Sequence, residues 1–306
     1  MAHSARSGIL ALVIACTIWG ISPLYYKLLV DVPPLEILTH RTLWSMVIFC
    51  LYLGVQKRLP EVGRLMLGRQ RLIVLLGAAM ISVNWFVFIR SVLNGQAVEA
   101  SLGYYIFPLV AVVLGMVFFG ERLNRWQAAA VSLAAVAVGV LTYGLGVAPW
   151  VALVLAGTFG IYAVVKKRLN AGPVASVTAE VAWMAPLALY WLVYLEAGGQ
   201  GHFGHDLQTS LLLAFAGALT AVPLMLFSYA SRRVSMAAFG LTQYLNPSLQ
   251  FLCATLVFRE VFTGWHMIAF ALIWVAVAIF AAQTLVQDRA RRKAASSAAT
   301  SSATPM

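Results

Sequence analysis

Ten runs of roughly 20 apolar residues, joined by short loops, occupy nearly the whole of this chain. They fall at 8–29, 36–55, 72–93, 98–118, 126–144, 149–167, 176–195, 210–230, 238–258 and 265–286. A helix rises about 1.5 Å per residue, so each run can cross about 30 Å of hydrocarbon. Lipid offers no hydrogen bonds, so each run must satisfy its own backbone as a helix. The composition agrees: 62% of the residues are hydrophobic and 10% charged, where a soluble domain is about a quarter charged. The predicted fold is an all-α integral membrane protein of ten transmembrane helices. Cys16, Cys50 and Cys253 lie inside apolar runs and read as packing residues, not as a disulfide framework.

A stretch in the middle of the chain occurs twice. The first copy runs from Glu99 through Tyr105 and Pro108 to Glu121 and Trp126. The second runs from Ala238 through Tyr244 and Pro247 to Glu260 and Trp265. Each matched pair is 139 residues apart, and one fixed offset near half the chain length is the mark of a duplication. The first helix repeats as well: Thr17 to Lys27 is similar to Thr158 to Lys167, with Gly20 over Gly160 and Pro33 over Pro173.

The net charge of +11 is carried largely by short loops, the pattern of membrane orientation rather than of a nucleic-acid face. With the N-terminus inside, the cytoplasmic side receives Arg6, Lys57, Arg58, Arg64, Arg69 and Arg71. It also receives Arg122, Arg125, the Lys166–Arg168 triplet, Arg232, Arg233 and the basic tail after Gln287. Lys27, Arg41, Arg90 and Arg259 are left near the outer ends. Both termini are therefore expected in the cytoplasm. Five helices per copy is an odd number, so the second copy enters the membrane inverted. The expected domains are a five-helix repeat over 1–145, an inverted one over 146–286 and a disordered cytoplasmic tail over 287–306. Val13-Ile-Ala-Cys16 looks faintly like a lipoprotein cleavage box. The apolar stretch before it is too short for a signal core, and the segment has a repeat partner, so it is expected to be retained.

The residues resemble the EamA-type branch of the drug/metabolite transporter superfamily and, within it, the RarD-like proteins. The resemblance is carried by Ile18-Trp-Gly-Ile21, Glu36-Ile-Leu-Thr-His-Arg41, Asn84-Trp85, Glu99-Ala-Ser-Leu-Gly-Tyr104, Pro108-Leu109 and Gly120-Glu-Arg122. The apolar string Phe270–Phe280 adds to it. It implies a ten-helix fold of two inverted repeats and export of small metabolites or drugs across a bacterial inner membrane. It also implies a substrate between the first, third, fourth, sixth, eighth and ninth spans. One departure is Arg259-Glu260, where the first copy has Gly120-Glu121.

Several residues are candidates for a substrate site. Pro108 and Pro247 each remove a helix hydrogen bond and can kink a helix or free carbonyls toward a cavity; packing is the alternative. Gln243, Asn246 and Gln250 form one face of the ninth span, which must turn inward as ligand contacts or as interhelical glue. Tyr104 and Phe107 form the matching face of the fourth span, with Tyr105 and Tyr244 beside the two prolines. Asn84, Trp85 and Phe88 lie in the third span, and Trp19 sits deep in the first, away from the interfacial belt.

Ionisable groups within spans are functional candidates for coupling or gating. Lys27 can snorkel to the outer surface, and Arg41 can pair with Glu36 or a headgroup. Glu99 begins a helix, where an acid is welcome for that reason alone. Glu180 is the most embedded acid and aligns with His40 across the repeat. An acid partly withdrawn from water can exchange a proton as two faces alternate, so protons are a candidate coupling ion. Pairing of Glu180 with the Lys166–Arg168 segment is the alternative. His202, His205 and Asp206 read as solvated loop, and no metal site is expected.

The expected function is a secondary transporter with a small-molecule substrate and membrane lipid as its surroundings. A channel or a non-transporting scaffold is the alternative. No metalloprotease His-Glu-x-x-His, no nucleophile elbow and no nucleotide-binding loop occurs, so neither an enzyme nor a cofactor is expected. The choice between monomer and homodimer stays open.

Overall fold

The computed structural model describes residues 2–120, 124–234 and 236–302, with side chains from residue 6 to 286 apart from 121–123 and 235–237. The acidic turn Glu121-Arg122 lies outside these. Every regular element among the described residues is helical. In chain order they are α1 (Ala2–Lys27), α2 (Pro34–Val55), α3 (Leu59–Leu67), α4 (Arg71–Leu93), α5 (Ala97–Phe119) and α6 (Arg125–Leu145). The second half holds α7 (Trp150–Arg168), α8 (Pro173–Ala197), α9 (Leu207–Ser231), α10 (Met236–Gln243), α11 (Leu245–Leu252) and α12 (Gly264–Ser302).

Nine of the described helices are long and apolar enough to cross a bilayer. The chain is thus an all-helical, multi-pass membrane protein. Local chemistry explains the boundaries. α2 and α8 each begin with proline, which presets φ and lacks only an amide that would go unpaired there. α6 starts from a capping box in which the Asn124 side chain accepts from the Trp126 and Gln127 amides, while Gln127 reaches back to the Asn124 amide. α5 stops at Gly120, whose φ of 65° is the left-handed conformation a side chain would resist.

Two features depart from the sequence expectation. The short amphipathic helix α3 folds in the loop between the second and third spans. The ninth span is not one helix: it is split into α10, α11 and a π-helical turn at Cys253–Val257. Pro247 accounts for the break. It has no amide to give the Gln243 carbonyl one turn back, and its ring crowds that carbonyl. The ladder therefore restarts after Tyr244, placing Pro247 in the first turn of α11, where a missing amide costs nothing. Pro108, its repeat partner, lies inside the unbroken α5, so the two copies use one proline in two ways. At the C-terminus, α12 continues as helix to Ser302, past the point where the apolar run ends.

The duplication is visible in the packing. α1 lies against α9 and α10–α11, and α7 lies in the corresponding way against α4 and α5. The equivalent helices α2 and α8 pack on each other, as do α6 and α12. The two copies of the central stretch run antiparallel. Tyr105 stacks on Tyr244 with ring centres 6.5 Å apart, and its hydroxyl hydrogen-bonds Ser248 Oγ at 2.7 Å. Glu260, near the end of the second stretch, accepts the Ala97 and Val98 amides just before the first, at 2.9 and 2.8 Å. Those amides begin α5 and have no partner within the helix, so the carboxylate completes them.

The buried core joins α4 to α7 with α12, through Leu102, Leu141, Leu155 and Phe270. Leu187, Leu189, Tyr190 and Val193 on α8 point outward and are exposed. In a bilayer these faces meet lipid, so burial does not hold the helices together and close packing must. Gly217 makes such an approach possible. A Cβ there would sit 2.5 Å from the Trp44 backbone carbonyl carbon and 2.6 Å from the Ser45 nitrogen, so α9 rests on the α2 backbone.

Candidate functional site

A cavity of about 350 Å³ lies between the two copies, at the small end of the range for small-molecule sites. α1, α4, α5, α7, α9 and α10–α11 all contribute to its lining, with additions from α2 and α8. Of the residues singled out from the sequence, Trp19, Asn84, Trp85, Phe88, Tyr104, Gln243, Asn246 and Gln250 line it. Tyr105, Tyr244, Pro108 and Pro247 do not. The two tyrosines face each other across the interface between copies, and the prolines shape the helices from outside the cavity.

One wall is aromatic. Edge-on contacts run from Tyr26 to Phe88 (6.0 Å), to Tyr104 (5.7 Å) and to Phe159 (5.9 Å), which stacks on Tyr162 (5.9 Å). The stripe exists because these rings recur at helical spacing on α1, α4, α5 and α7, each helix giving one face to the cavity. The opposite wall carries amides. Gln250 Nε2 donates to Asn246 Oδ1 at 2.9 Å, while Gln250 Oε1 is buried with no partner among the described residues.

The amides divide into two kinds. Asn84 is 1% exposed and fully engaged. It donates to the Leu155 carbonyl (2.9 Å) and Thr158 Oγ1 (3.0 Å), and accepts from the Tyr104 hydroxyl (2.9 Å). It ties α4 to α5 and α7. The Gln243 side chain lines the cavity and has no hydrogen-bond partner among the described residues. Asn84→Ala is expected to lower stability by about 1–3 kcal/mol, because it strands buried partners. Gln243→Ala should leave melting near wild type and weaken substrate transport. Thermal unfolding in detergent beside flux per folded molecule tests both, and the opposite assignment would reverse the roles.

The ionisable candidates are spread along the molecule. Arg41 lines the cavity and pairs with neither Glu36 nor, being 6% exposed, a headgroup. Its Nε donates to Thr220 Oγ1 (2.6 Å), its Nη1 to the Tyr26 hydroxyl (2.8 Å), and its guanidinium lies 4.2 Å over the Trp85 ring. Glu36 instead accepts the His202 amide and meets the His202 ring, each at 2.8 Å. The glycine-rich loop is therefore partly docked rather than wholly solvated: a buried acid needs partners, and the loop supplies them. Asp206 in the same loop accepts the Thr209 amide at 2.7 Å and caps α9, which holds its carboxyl below the usual range.

Glu180 is fully buried behind the cavity wall. It accepts from Lys166 Nζ at 2.6 Å and from the Tyr162 hydroxyl at 2.9 Å. Of the two readings of Glu180, the pairing with the Lys166 segment is present. His40, its repeat partner, is placed differently: it stacks on Phe203 at 4.8 Å, and its Nε2 has no partner among the described residues. Lys27 lies over the Phe258 ring at 5.2 Å, and Glu99 leaves one buried oxygen unpartnered; neither reaches the cavity. No cluster suited to a metal occurs among the described residues.

Sequence reasoning missed Tyr26, Tyr162, Lys166 and Thr220 as cavity residues. A signal was present. Thr158, Tyr162 and Lys166 recur at four-residue spacing on α7, and Trp19, Ser22 and Tyr26 follow one face of α1.

The model of the EamA-like transporter family matches residues 6–143. Protein RarD of Salmonella typhi is 39% identical over 290 residues, covering 94% of this chain and 99% of that protein. Protein RarD of Streptomyces exfoliatus is 41% identical over 298 residues, covering 96% and 95%. An uncharacterized transporter of Vibrio cholerae is 39% identical over 294 residues, covering 95% and 97%. One crystal structure superposes with a TM-score of 0.59 at 18% identity, over 90% of this chain and 96% of that one, a likeness of fold alone. The family and the Vibrio cholerae relative are named as transporters. With such similarity along nearly its whole length, the chain belongs to the EamA-like transporter family and, within it, to the RarD-like group.

Proposed function

We propose that this protein is a secondary active transporter that exports a small organic molecule across a bacterial inner membrane, by alternating access of its two inverted repeats. The observation that carries the reading is the cavity between the repeats. It extends to Ala171 in the α7–α8 connection and to Pro173 at the start of α8. At the other end it stops beneath Tyr26 and Phe88, both buried. Beside the α7–α8 connection the Gln70 side chain donates to the Arg168 carbonyl, and Arg58 approaches Gly172. Basic residues mark the cytoplasmic side, so the cavity faces the cytoplasm with both termini on that side. A site that loads from the cytoplasm is what an exporter requires.

Protons are the coupling ion in this reading. Glu180 touches two cavity residues, Lys166 and Tyr162, through which a proton can pass between the acid and cavity water. His40 is its counterpart near the other face. Glu180→Gln keeps the shape but removes titration; its oxygen can still accept from Lys166, and its NH2 group can bond the Tyr162 hydroxyl once that hydroxyl turns to accept. Substrate exchange should survive in that variant, while uphill transport driven by a pH gradient is lost; wild-type accumulation would reduce Glu180 to an anchor.

The test of the whole reading is counterflow in proteoliposomes against a panel of metabolites. A carrier gives saturable flux stimulated by substrate on the opposite side. Linear flux without such stimulation would identify a channel, and none with any solute a scaffold.

A further inference from the structure

We propose that the cargo is an organic anion, a carboxylate on a compact aromatic body, with the carboxylate seated on Arg41. The proposal rests on the transporter reading and names the substrate class of the same cavity.

Arg41 is nine-tenths buried in the second turn of α2 and carries a charge that the protein does not balance. Its protein partners are the Thr220 and Tyr26 hydroxyls and the Trp85 ring, all neutral. No described carboxylate forms an ion pair with it. Glu180 is spent on Lys166, and Glu36 faces His202. The other cation of the cavity, Lys166, is thus compensated, whereas Arg41 is not. A buried charge without a counter-charge is costly, so the site is completed by a ligand that brings the negative charge with it.

The arrangement also shows how that ligand would be held. Nε and Nη1 are fixed by hydrogen bonds and the guanidinium plane by Trp85, so the group is set before anything binds. Nη2 has no hydrogen-bond partner among the described residues, and Arg41 lines the cavity. A planar carboxylate is the natural acceptor for the remaining edge of a guanidinium. An inorganic anion is a poor occupant, because it would leave most of about 350 Å³ empty against aromatic rings. Trp19, Phe88, Tyr104 and Phe159 suit a flat apolar body. The unpartnered Gln243 amide and Gln250 Oε1 offer a second polar contact at the opposite wall.

Matched probes test this with the full-length protein in phosphatidylcholine nanodiscs, which contain no net-anionic lipid. The probes are phenylacetate, phenylacetamide and 2-phenylethylamine, with indole-3-acetate, indole-3-acetamide and tryptamine as a second set. Binding of the phenyl set is read from tryptophan fluorescence, since Trp19 and Trp85 line the cavity, and binding of the indole set, which is itself fluorescent, from titration calorimetry. Each acid should bind about tenfold or more tightly than its amide or amine, as a charge-assisted bond implies. Arg41→Gln should remove that preference and Arg41→Lys retain part of it; should Arg41→Gln fail to fold, the wild-type comparison alone decides. An amide or amine binding as tightly as its acid, or no acid binding at all, overturns the proposal. Counterflow separates the two levels. Saturable exchange of neutral or cationic solutes would leave the transporter standing and remove the anion, whereas no exchange of any solute removes both.

Discussion

Lys166→Met is expected to destabilise the protein by about 3–5 kcal/mol, more than Glu180→Gln, which should cost about 1–2 kcal/mol. The asymmetry follows from exposure. The Glu180 side chain is 0% exposed and the Lys166 side chain 24%. Without the lysine, a carboxylate fully inside the bundle keeps only the Tyr162 hydroxyl. Without the acid's charge, Lys166 keeps Ser176 Oγ at 2.6 Å, the Tyr162 ring at 4.8 Å and access to cavity water. Replacing both residues together, by methionine and leucine, should recover most of the loss, because a buried pair repays little more than its own desolvation. Equilibrium unfolding of the wild type, Lys166→Met, Glu180→Leu and the variant carrying both closes a double-mutant cycle, and a coupling energy near zero would show that the pair does not act as a unit.

Gly217→Val should be nearly as damaging, at about 3 kcal/mol, the upper range for forcing volume into a packed interface. The new side chain would meet backbone rather than a movable side-chain end, so α2 and α9 must part. The damage reaches the cavity, because Thr220 lies three residues beyond Gly217 on α9 and holds Arg41 of α2 at 2.6 Å. Loss of stability and loss of binding should therefore appear together. Gly139→Ala is the control. No atom lies within 4 Å of its added Cβ, so the substitution should be neutral or slightly stabilising. A melting temperature for Gly217→Val equal to that of the control would contradict this account of the interface.

Much of the fold could be read from the chain because bilayer physics is strict: an apolar run of fixed length has one backbone solution. Nine spans accordingly appear close to their expected limits. The tenth was legible as a run but not as a broken one, since apolarity says nothing about where a ladder restarts. Pro108 and Pro247 look alike in sequence, yet only Pro247 divides its helix. The candidate site was legible where polar and aromatic residues share a helix face, as for Gln243, Asn246 and Gln250. It was not legible where the decisive neighbour is remote. Arg41 finds Thr220 across 179 positions, and Glu36 finds His202 across 166. Lys166 was read as a loop charge because it closes α7 among other basic residues; its pairing with Glu180 depends on how α8 folds back. Tyr105 and Tyr244 misled for a different reason. Repeat-matched residues at an antiparallel interface tend to meet each other rather than a ligand.

The Glu260 carboxylate on the Ala97 and Val98 amides also bears on how such a chain could have arisen. A half-length ancestor would open its fourth span with two bare amides at the membrane boundary, and the acid able to satisfy them would sit at the opposite face of its own membrane orientation. Only a second molecule inserted upside down could present that acid where it is needed. The contact therefore favours an ancestor that lived as an antiparallel pair, with gene fusion later making permanent a partnership that two separate copies already required.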